Sequence, residues 1–338
     1  MLTSELDYEL PEALIAQRPA EPRDSSRLMV VDVGGETIAH HVFRDLPRFL
    51  RSGDELVLNE TKVLPARLVA RKKSGGEVEL LFLRDLGGPW EVLARPSKRL
   101  KAGLVLTAGE EELRVVKSLG EGHWVVGGRD LLGTMERNGR IPLPPYIRPT
   151  ENAERAYQTV YARNPGSAAA PTAGFHLTRE VLDGAERAGA GISRVTLHVG
   201  AGTFVPIRAH RLEEHRMHAE RYCIPEGAAQ AVERAERVIA AGTTVARTLE
   251  TWAVSGEREG ESSLFIYPGY EWRAVDVLLT NFHLPRSTLL AMIMSFGGKE
   301  LVREAYRVAV KERYRFYSFG DAMLLLGGGR RRAESRER

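Results

Sequence analysis

VELLFL (78–83), DLGGPW (85–90), WEVLARP (90–96), LVLTAGE (104–110), ELRVVKSLGEG (112–122) and HWVVGG (123–128) follow one another as short apolar runs parted by turn residues. Turn signals recur at intervals of about ten residues, and no helical period is sustained across 69–126, so the stretch predicts an all-β unit, a barrel or a sandwich. LLGTMERNGRIPLPPYIRP (131–149) comes next and predicts a short helix with a proline-rich exit. We therefore expect an inserted small all-β barrel-like domain over 66–148, set into a larger domain made of 1–65 and 149–326.

The flanks mix helix and strand signals, which makes the larger domain α/β (mixed α+β). Residues 7–17 predict an extended turn leading into a short helix, 27–33 a buried strand, and 55–59 a second strand. Downstream, 177–188 is helix-like with Thr178 at its start, and RVTLHV (194–199) is strand-like. EGAAQAVERAERVIA (226–240) carries helical spacing throughout, and ARTLETWA (246–253) predicts another helix. SLFIYPG (263–269) and VDVLLTNF (275–282) predict strands, and a helix follows with Ser287 or Thr288 as its cap. Glycines 327–329 are expected to end ordered structure, leaving 327–338 as a disordered basic tail.

A length of 338 residues, 43% hydrophobic and 28% charged, suits two globular domains and excludes collagen-like, coiled-coil and disordered chains. The net charge of +3 resides in residues 330–338, which hold five Arg and two Glu; the rest is neutral. A polyanion would therefore have to meet a local patch rather than a global field. One patch exists: 66–145 carries 14 Lys and Arg against 10 Asp and Glu, clustered at Arg71, Lys72, Lys73 and at Lys98, Arg99, Lys101. Such lysines also serve simply to solvate a strand edge. The single cysteine, Cys223, lies in the apolar run RYCIP and reads as a core thiol suited to a reducing compartment. The acidic start MLTSELDYELPEAL has no apolar core of a secretory signal, and the apolar stretch 275–296 is broken by Asp276, His283 and Arg286, so a cytoplasmic chain with no membrane span is expected.

Six of nine histidines fall between 176 and 283. His176, His198 and His283 stand in APTAGFHLT, LHVGAGTFVP and LLTNFHLPRST, rich in Gly, Pro, Thr and Asn at element ends, where functional groups are usually mounted. Each could equally cap a turn. His215 and His218, spaced to share one helical turn, suggest a metal site, but the chain has no H-E-x-x-H and no second cysteine, so no metal is expected. No G-x-S-x-G elbow is present. Gly200-Ala201-Gly202-Thr203 lacks the third glycine of a dinucleotide loop, since position 205 is Val. Arg247 and Glu250 stand three apart on a helix, as an ion pair or as a clamp for a ligand carboxylate and ammonium.

PTAGFHLT (171–178), LHVGAGTFVPI (197–207), HRMHAE (215–220), AGTTVARTLE (241–250), FIYPGY (265–270), LLTNFHLPRSTLL (278–290) and YRFYSFGDAMLL (314–325), in this order, closely resemble the S-adenosylmethionine:tRNA ribosyltransferase-isomerase family of queuosine biosynthesis. The early segments DYELPEALIAQRPAEPRDSSRLMVVD and LVLNETKVLPARL fit the same family, so the resemblance spans about residues 3 to 325. Phe175 and Leu177 flank His176 in exchanged order relative to the family pattern, and Arg216 and Ala219 replace its Pro and Ser. The resemblance implies transfer and isomerisation of the ribosyl moiety of S-adenosylmethionine onto 7-aminomethyl-7-deazaguanine at the tRNA wobble position, giving epoxyqueuosine with release of adenine and methionine.

That reaction needs several proton transfers, for which His176 and His283 are expected as acid and base, with His198 and His218 in support. Thr172, Gly174, Gly200, Gly202, Thr203 and Asn281 are expected to hydrogen-bond the donor substrate, and Arg247 and Glu250 to hold its methionine end. Phe175, Phe282 or Tyr267 would stack on adenine or face the sulfonium. Arg27, Lys62, Arg67, Lys72, Lys73, Lys98, Arg99 and Lys101 are expected to contact the tRNA. S-adenosylmethionine would be a co-substrate rather than a resident cofactor, and the chain a monomer. A tRNA-binding module without catalysis is the alternative from another class.

Overall fold

A computed structural model describes residues 1–200 and 206–329. After three 3₁₀ turns the chain enters β1 (Arg27–Asp32), turns back along β2 (Thr37–Val42), and reaches β3 (Asp54–Asn59) and the short β4 (Thr61–Val63). Six strands follow: β5 (Arg67–Lys72), β6 (Glu77–Asp85), β7 (Trp90–Arg95), β8 (Val105–Ala108), β9 (Glu111–Gly120) and β10 (His123–Gly127). They close into a barrel in the order β10-β7-β6-β5-β8-β9, which removes every exposed sheet edge. Alternation decides what fills it: Leu68, Ala70, Val78, Leu80, Phe82 and Val92 point inward. Helix α1 (Leu131–Asn138), capped by the Asp130 carboxylate on the Gly133 N–H, packs Leu131 and Met135 into the same core.

The chain then returns to the large sheet through α2 (Glu151–Ala156) and β11 (Asn164–Ser167), which pairs in parallel with β4. It continues through α3 (Arg179–Arg187), β12 (Gly191–Leu197), β13 (Glu220–Cys223), α4 (Glu226–Arg234), β14 (Arg237–Ala241), α5 (Thr243–Ser255), β15 (Glu259–Ser262), β16 (Val277–Asn281), α6 (Thr288–Gly297), α7 (Lys299–Lys311) and β17 (Ala322–Leu326). Nine of the strands form one sheet in the order β15-β13-β12-β3-β14-β16-β17-β1-β2. Strands β12, β3, β14 and β16 run parallel, and β17 and β1 run against them.

The central strands are apolar without a break because both of their faces are covered. Met29, Val57, Val238, Ala240, Leu278 and Leu325 face one core with α4 to α7, whereas Leu28, Leu58, Ile239, Ala241, Leu279 and Leu324 face the other with α3 and the 3₁₀ segment Phe43–Phe49. Period two explains the division.

The mixed α/β body with an inserted barrel is thus as expected, but four local readings are corrected. Helical spacing across 226–240 ends at Arg234, and the remainder, RVIAA, is β14 in the middle of the sheet. A strand buried on both faces has an apolar run that mimics a helix stripe. SLFIYPG is no strand; the strand lies just upstream at Glu259–Ser262, and Leu264, Phe265 and Tyr267 pack irregularly against the core. Cys223 is exposed, not a core thiol, because Tyr222 takes the inward position of β13. His215 and His218 share no helical turn but lie on an irregular stretch before β13. Residues 330–338 of the expected tail lie outside the described residues. Among those described, no helix is long and apolar enough to cross a membrane.

The chain enters and leaves the barrel at one crossing. Arg67 and Arg140 exchange backbone hydrogen bonds there, and a Cβ on Gly139 would fall 1.8 Å from the Pro65 carbonyl oxygen. Gly139→Ala should therefore lower stability to urea by about 1–3 kcal/mol, the usual cost of overpacking against a backbone atom. A change within the error of the urea midpoint would mean that the crossing relaxes freely.

Candidate active site

Parallel alignment brings the carboxyl ends of β12, β3, β14 and β16 to one edge of the sheet, where β17 and β1 begin. Ligand crevices in open α/β sheets form at such edges. Asn59, fully buried at the end of β3, ties the edge together. Its Oδ1 accepts the N–H groups of Thr61 and Leu197, and its Nδ2 donates to the Leu197 carbonyl at 3.0 Å and to Thr244 Oγ1 at 3.2 Å.

Three connected hollows open along this edge. The innermost is lined by Thr172, Thr243, Thr280, Asn281, His283 and Ser318. It shares Thr243, Thr244 and Leu289 with a middle hollow bordered by His215, Met217, His218, Glu220, Arg247 and Phe265. His218 and Glu220 in turn belong to an outer groove of about 750 Å³. One wall of the groove is the outward face of β6 and β7, with Glu79, Leu81, Leu83, Glu91, Leu93 and Arg95; the other carries Gly166, His198, Gly200 and Arg221.

In the middle hollow, Arg247 forms a buried ion pair with Glu220, whose Oε1 also accepts the Gly200 N–H at 2.7 Å. Burial lowers the Arg247 pKa to about 10, still charged at neutral pH. Glu250, expected to work with Arg247, faces elsewhere. It is fully buried and accepts hydrogen bonds from the Tyr270 hydroxyl and the N–H groups of Arg273, Ala274 and Val275, which braces the loop before β16. Glu220 takes its place beside Arg247; the HRMHAE motif contains it, but nothing in its spacing marks it as the partner.

The histidines differ. His283 lines the innermost hollow, its Nε2 is 2.7 Å from Thr280 Oγ1, and burial pushes its pKa down to about 3. His198 lines the groove with Nδ1 2.8 Å from Thr61 Oγ1; burial, and then the Arg221 charge, lower its pKa. Its ring lies on Gly166, where φ is +146° and an added Cβ would come within 2.8 Å of the imidazole, so a glycine is required. His218 stands where middle hollow and groove meet, and His215 packs edge-on against Phe265. His176 is set behind the cleft rather than on its surface. It is 4% exposed, its Nδ1 is 2.7 Å from Ser26 Oγ, its Nε2 is 3.2 Å from Asn281 Nδ2, and Phe43 stacks on its face.

Of the other expected substrate contacts, Thr172 and Asn281 line the innermost hollow and hydrogen-bond each other at 3.0 Å. Gly174 is buried beneath Tyr161, and Phe175 packs on Tyr157 and Phe319 in a separate core. Phe282 borders the hollow, but its ring packs on Tyr306, Tyr314 and Phe316. Phe265, not singled out in the sequence, is the aromatic of the middle hollow, and Tyr267 packs on it. Gly202 and Thr203 lie outside the described residues.

Arg67 lines the groove, paired with Glu79, while Arg84, Arg95 and His123 join it unanticipated, because only barrel closure turns the outer face of β6 and β7 toward the large sheet. Lys72 ends β5 and Lys73 opens the turn after it, and Lys98, Arg99 and Lys101 occupy the 96–104 loop between β7 and β8. Strand pairing sets both segments at the barrel end where Lys72 meets Leu106 and Glu79 meets Arg95, which makes that end a basic rim. Lys62 is exposed on β4, but Arg27 is engaged within the body, its guanidinium over the Tyr314 ring and donating to the Glu312 carbonyl.

An open, largely parallel sheet with a histidine-rich cleft at its carboxyl edge and a barrel facing that cleft defines an α/β enzyme whose cleft is walled on one side by a second, all-β unit. A profile of the queuosine biosynthesis protein family matches residues 3–325, and the chain belongs to that family. It is 73% identical over 98% of its length, and 99% of the relative's, to the S-adenosylmethionine:tRNA ribosyltransferase-isomerase of Rubrobacter xylanophilus. With the Thermotoga maritima protein of the same name it shares 48% identity over 96% of this chain and all of the relative. The crystal structure of the S-adenosylmethionine tRNA ribosyltransferase from Thermotoga maritima superposes with a TM-score of 0.56 at 38% identity, covering 96% of this chain and all of that one.

Burial of a neutral imidazole has a pH signature. The His176 pKa is pushed by desolvation from its ordinary 6.5 to about 3, so below pH 6.5 the unfolded chain takes up a proton that the folded chain refuses. Stability therefore falls as pH falls from 6.5 toward 3. In His176→Gln the slope of urea stability against pH should be shallower by up to about 1.4 kcal/mol per pH unit within that window. Equal slopes would mean that the fold accommodates the imidazolium.

Proposed function

We propose that this cleft transfers and isomerises the ribosyl moiety of S-adenosylmethionine onto 7-aminomethyl-7-deazaguanine at the tRNA wobble position, giving epoxyqueuosine and releasing adenine and methionine. The observation that carries the reading is one continuous cleft in which a buried Arg–Glu pair lies between an innermost hollow holding the neutral imidazole of His283 and a groove walled by the barrel. Arg247 and Glu220 match the carboxylate and ammonium of the methionine end, and Phe265 offers a ring face to the sulfonium.

The sulfonium acidifies the ribose C5′ hydrogens. His283, neutral at pH 7, accepts one of these protons, and its low basicity then favours passing the proton to a ring nitrogen of the departing adenine. His198 and His218, on the groove side, accept the proton released as the aminomethyl nitrogen bonds to the sugar. A wobble nucleotide in a loop is largely unpaired, so its base enters the groove at low unstacking cost. Arg67, Arg84 and Arg95 would meet it there, and Lys72, Lys73, Lys98, Arg99 and Lys101 would hold the stem phosphates. S-adenosylmethionine is consumed as co-substrate, with no resident cofactor or metal. The protein acts as a monomer in the cytoplasm, where its tRNA is found.

Incubation with S-adenosylmethionine and tRNA carrying 7-aminomethyl-7-deazaguanine should release adenine and methionine in equal amounts, with one epoxyqueuosine formed per pair. His283→Ala should slow all three together by on the order of 10²–10⁴-fold, the usual contribution of a general acid–base group. Binding of tRNA with no turnover by the wild type would instead favour the non-catalytic module. Reversing the charges of Lys98 and Arg99 to Glu should weaken tRNA binding and reduce the slope of log affinity against log salt by about 0.7–0.9 for each phosphate no longer neutralised. An unchanged slope would remove the rim from the interface.

A further inference from the structure

We infer that Ser26 and His176 form a positioning pair that sets the direction of the Asn281 amide, and that Asn281 and Thr172, so held, read the amino edge of the departing adenine. The inference rests on the reaction proposed above and assigns a specificity device within the innermost hollow.

Four side chains make one chain of hydrogen bonds: Ser26 Oγ to His176 Nδ1 at 2.7 Å, His176 Nε2 to Asn281 Nδ2 at 3.2 Å, and Asn281 Oδ1 to Thr172 Oγ1 at 3.0 Å. Ser26, His176 and Asn281 are all buried, and Thr172 and Asn281 reach the cleft surface. Because hydroxyls both donate and accept, the chain of bonds could run in either direction, and the imidazole tautomer chooses between them. The structure sets the Asn281 Nδ2 against Nε2, and an amide nitrogen can only donate. Nε2 therefore accepts, and the proton sits on Nδ1. Asn281 Oδ1 is thereby turned toward Thr172, which makes the Thr172 hydroxyl the donor to it.

The polarity that results is specific. Asn281 keeps one N–H for the cleft, and Thr172, its proton committed, offers only lone pairs. A donor beside an acceptor complements adenine, whose N7 accepts and whose N6 amino group donates. Hypoxanthine and guanine present two acceptors, N7 and O6, on the same edge, so a Thr172 oxygen held without its proton toward the cleft would face a carbonyl oxygen. A hydrogen bond to N7 also stabilises adenine as it leaves, which links recognition to the reaction. In this scheme His176 touches no substrate; it acts through Asn281.

The test is calorimetric binding of S-adenosylhomocysteine and S-inosylhomocysteine to the full-length protein. Wild type should prefer the adenosyl compound by tenfold or more. His176→Leu frees the amide to turn and the Thr172 hydroxyl to donate, and should bring the ratio to within about threefold of one. His176→Gln, whose carbonyl oxygen can accept from Asn281 where Nε2 did, should keep most of the preference, and its kcat against pH should follow that of wild type. Should His176→Leu fail to fold, Asn281→Ala, which removes the acceptor of the Thr172 proton and frees that hydroxyl to donate, provides the same readout and should also lose the preference. A preference left intact in His176→Leu or Asn281→Ala, or equal loss in the Gln and Leu variants, would overturn the positioning role. A wild type that binds both nucleosides without distinction would overturn the adenine assignment while leaving the transferase reading in place, and one that binds neither would count against that reading itself.

Discussion

Three of the segments that border the cleft are tied together by the side chain of Asn59. A strand that ends inside a protein leaves backbone groups without ladder partners, and burying them unpaired is costly. Asn59 supplies the missing partners on three sides: the Leu197 backbone at the end of β12, the Thr61 N–H at the start of β4, and the Thr244 hydroxyl in the first turn of α5. Each of these neighbours carries something on. Leu197 precedes His198, Thr61 hydrogen-bonds the His198 ring, and Thr244 borders both inner hollows. One fully satisfied amide thus links the groove-side imidazole to the innermost hollow, and a substitution there would disturb both at once.

The electrostatic character of the cleft follows from how deeply that edge is buried. Removal from water costs an imidazolium more than an imidazole, so His176, His198 and His283 are all displaced toward the neutral form. Neutral imidazoles at pH 7 can accept protons, and an imidazolium formed transiently in such surroundings gives its proton up readily. Arg247 and Glu220 remain together because each offsets the desolvation of the other, and the Gly200 N–H takes one of the carboxylate oxygens. The cleft therefore offers a fixed pair of opposite charges at one place and uncharged proton acceptors at others, a division that a zwitterionic sulfonium substrate can use. The barrel adds the outer wall of the groove and carries a basic rim at one end.

Much of the architecture was legible in linear order. Repeated short apolar runs between turns announced the barrel, and the apolar run VDVLLTN announced a strand. The site was legible as a set of segments but not as a set of contacts. His176 and His283 look alike in sequence, each between Phe and Leu, yet one is enclosed by Ser26, Phe43 and Asn281 and the other faces the cleft. Arg247 and Glu250 lie three apart on one helix, yet Glu250 braces a loop while Arg247 pairs with a glutamate from β13. Arg84 and Arg95 gave no signal, since an outward residue on a strand is indistinguishable from a solvated one until something is packed opposite it.

Local spacing, composition and long ordered motifs were enough by themselves to determine the fold class, the family and several of the segments that border the cleft. These depend on periodicity and on residue types, which a linear chain displays. Tertiary structure alone decided which side chains meet: the parallel register that aligns four strand ends, the closure that turns β6 and β7 toward the sheet, and the depth of burial that separates a cleft-lining imidazole from one held behind it. Contact, dielectric surroundings and hydrogen-bond direction are properties of positions in space, and residues more than a hundred places apart, such as Ser26, His176 and Asn281, acquire them only when the sheet brings them together.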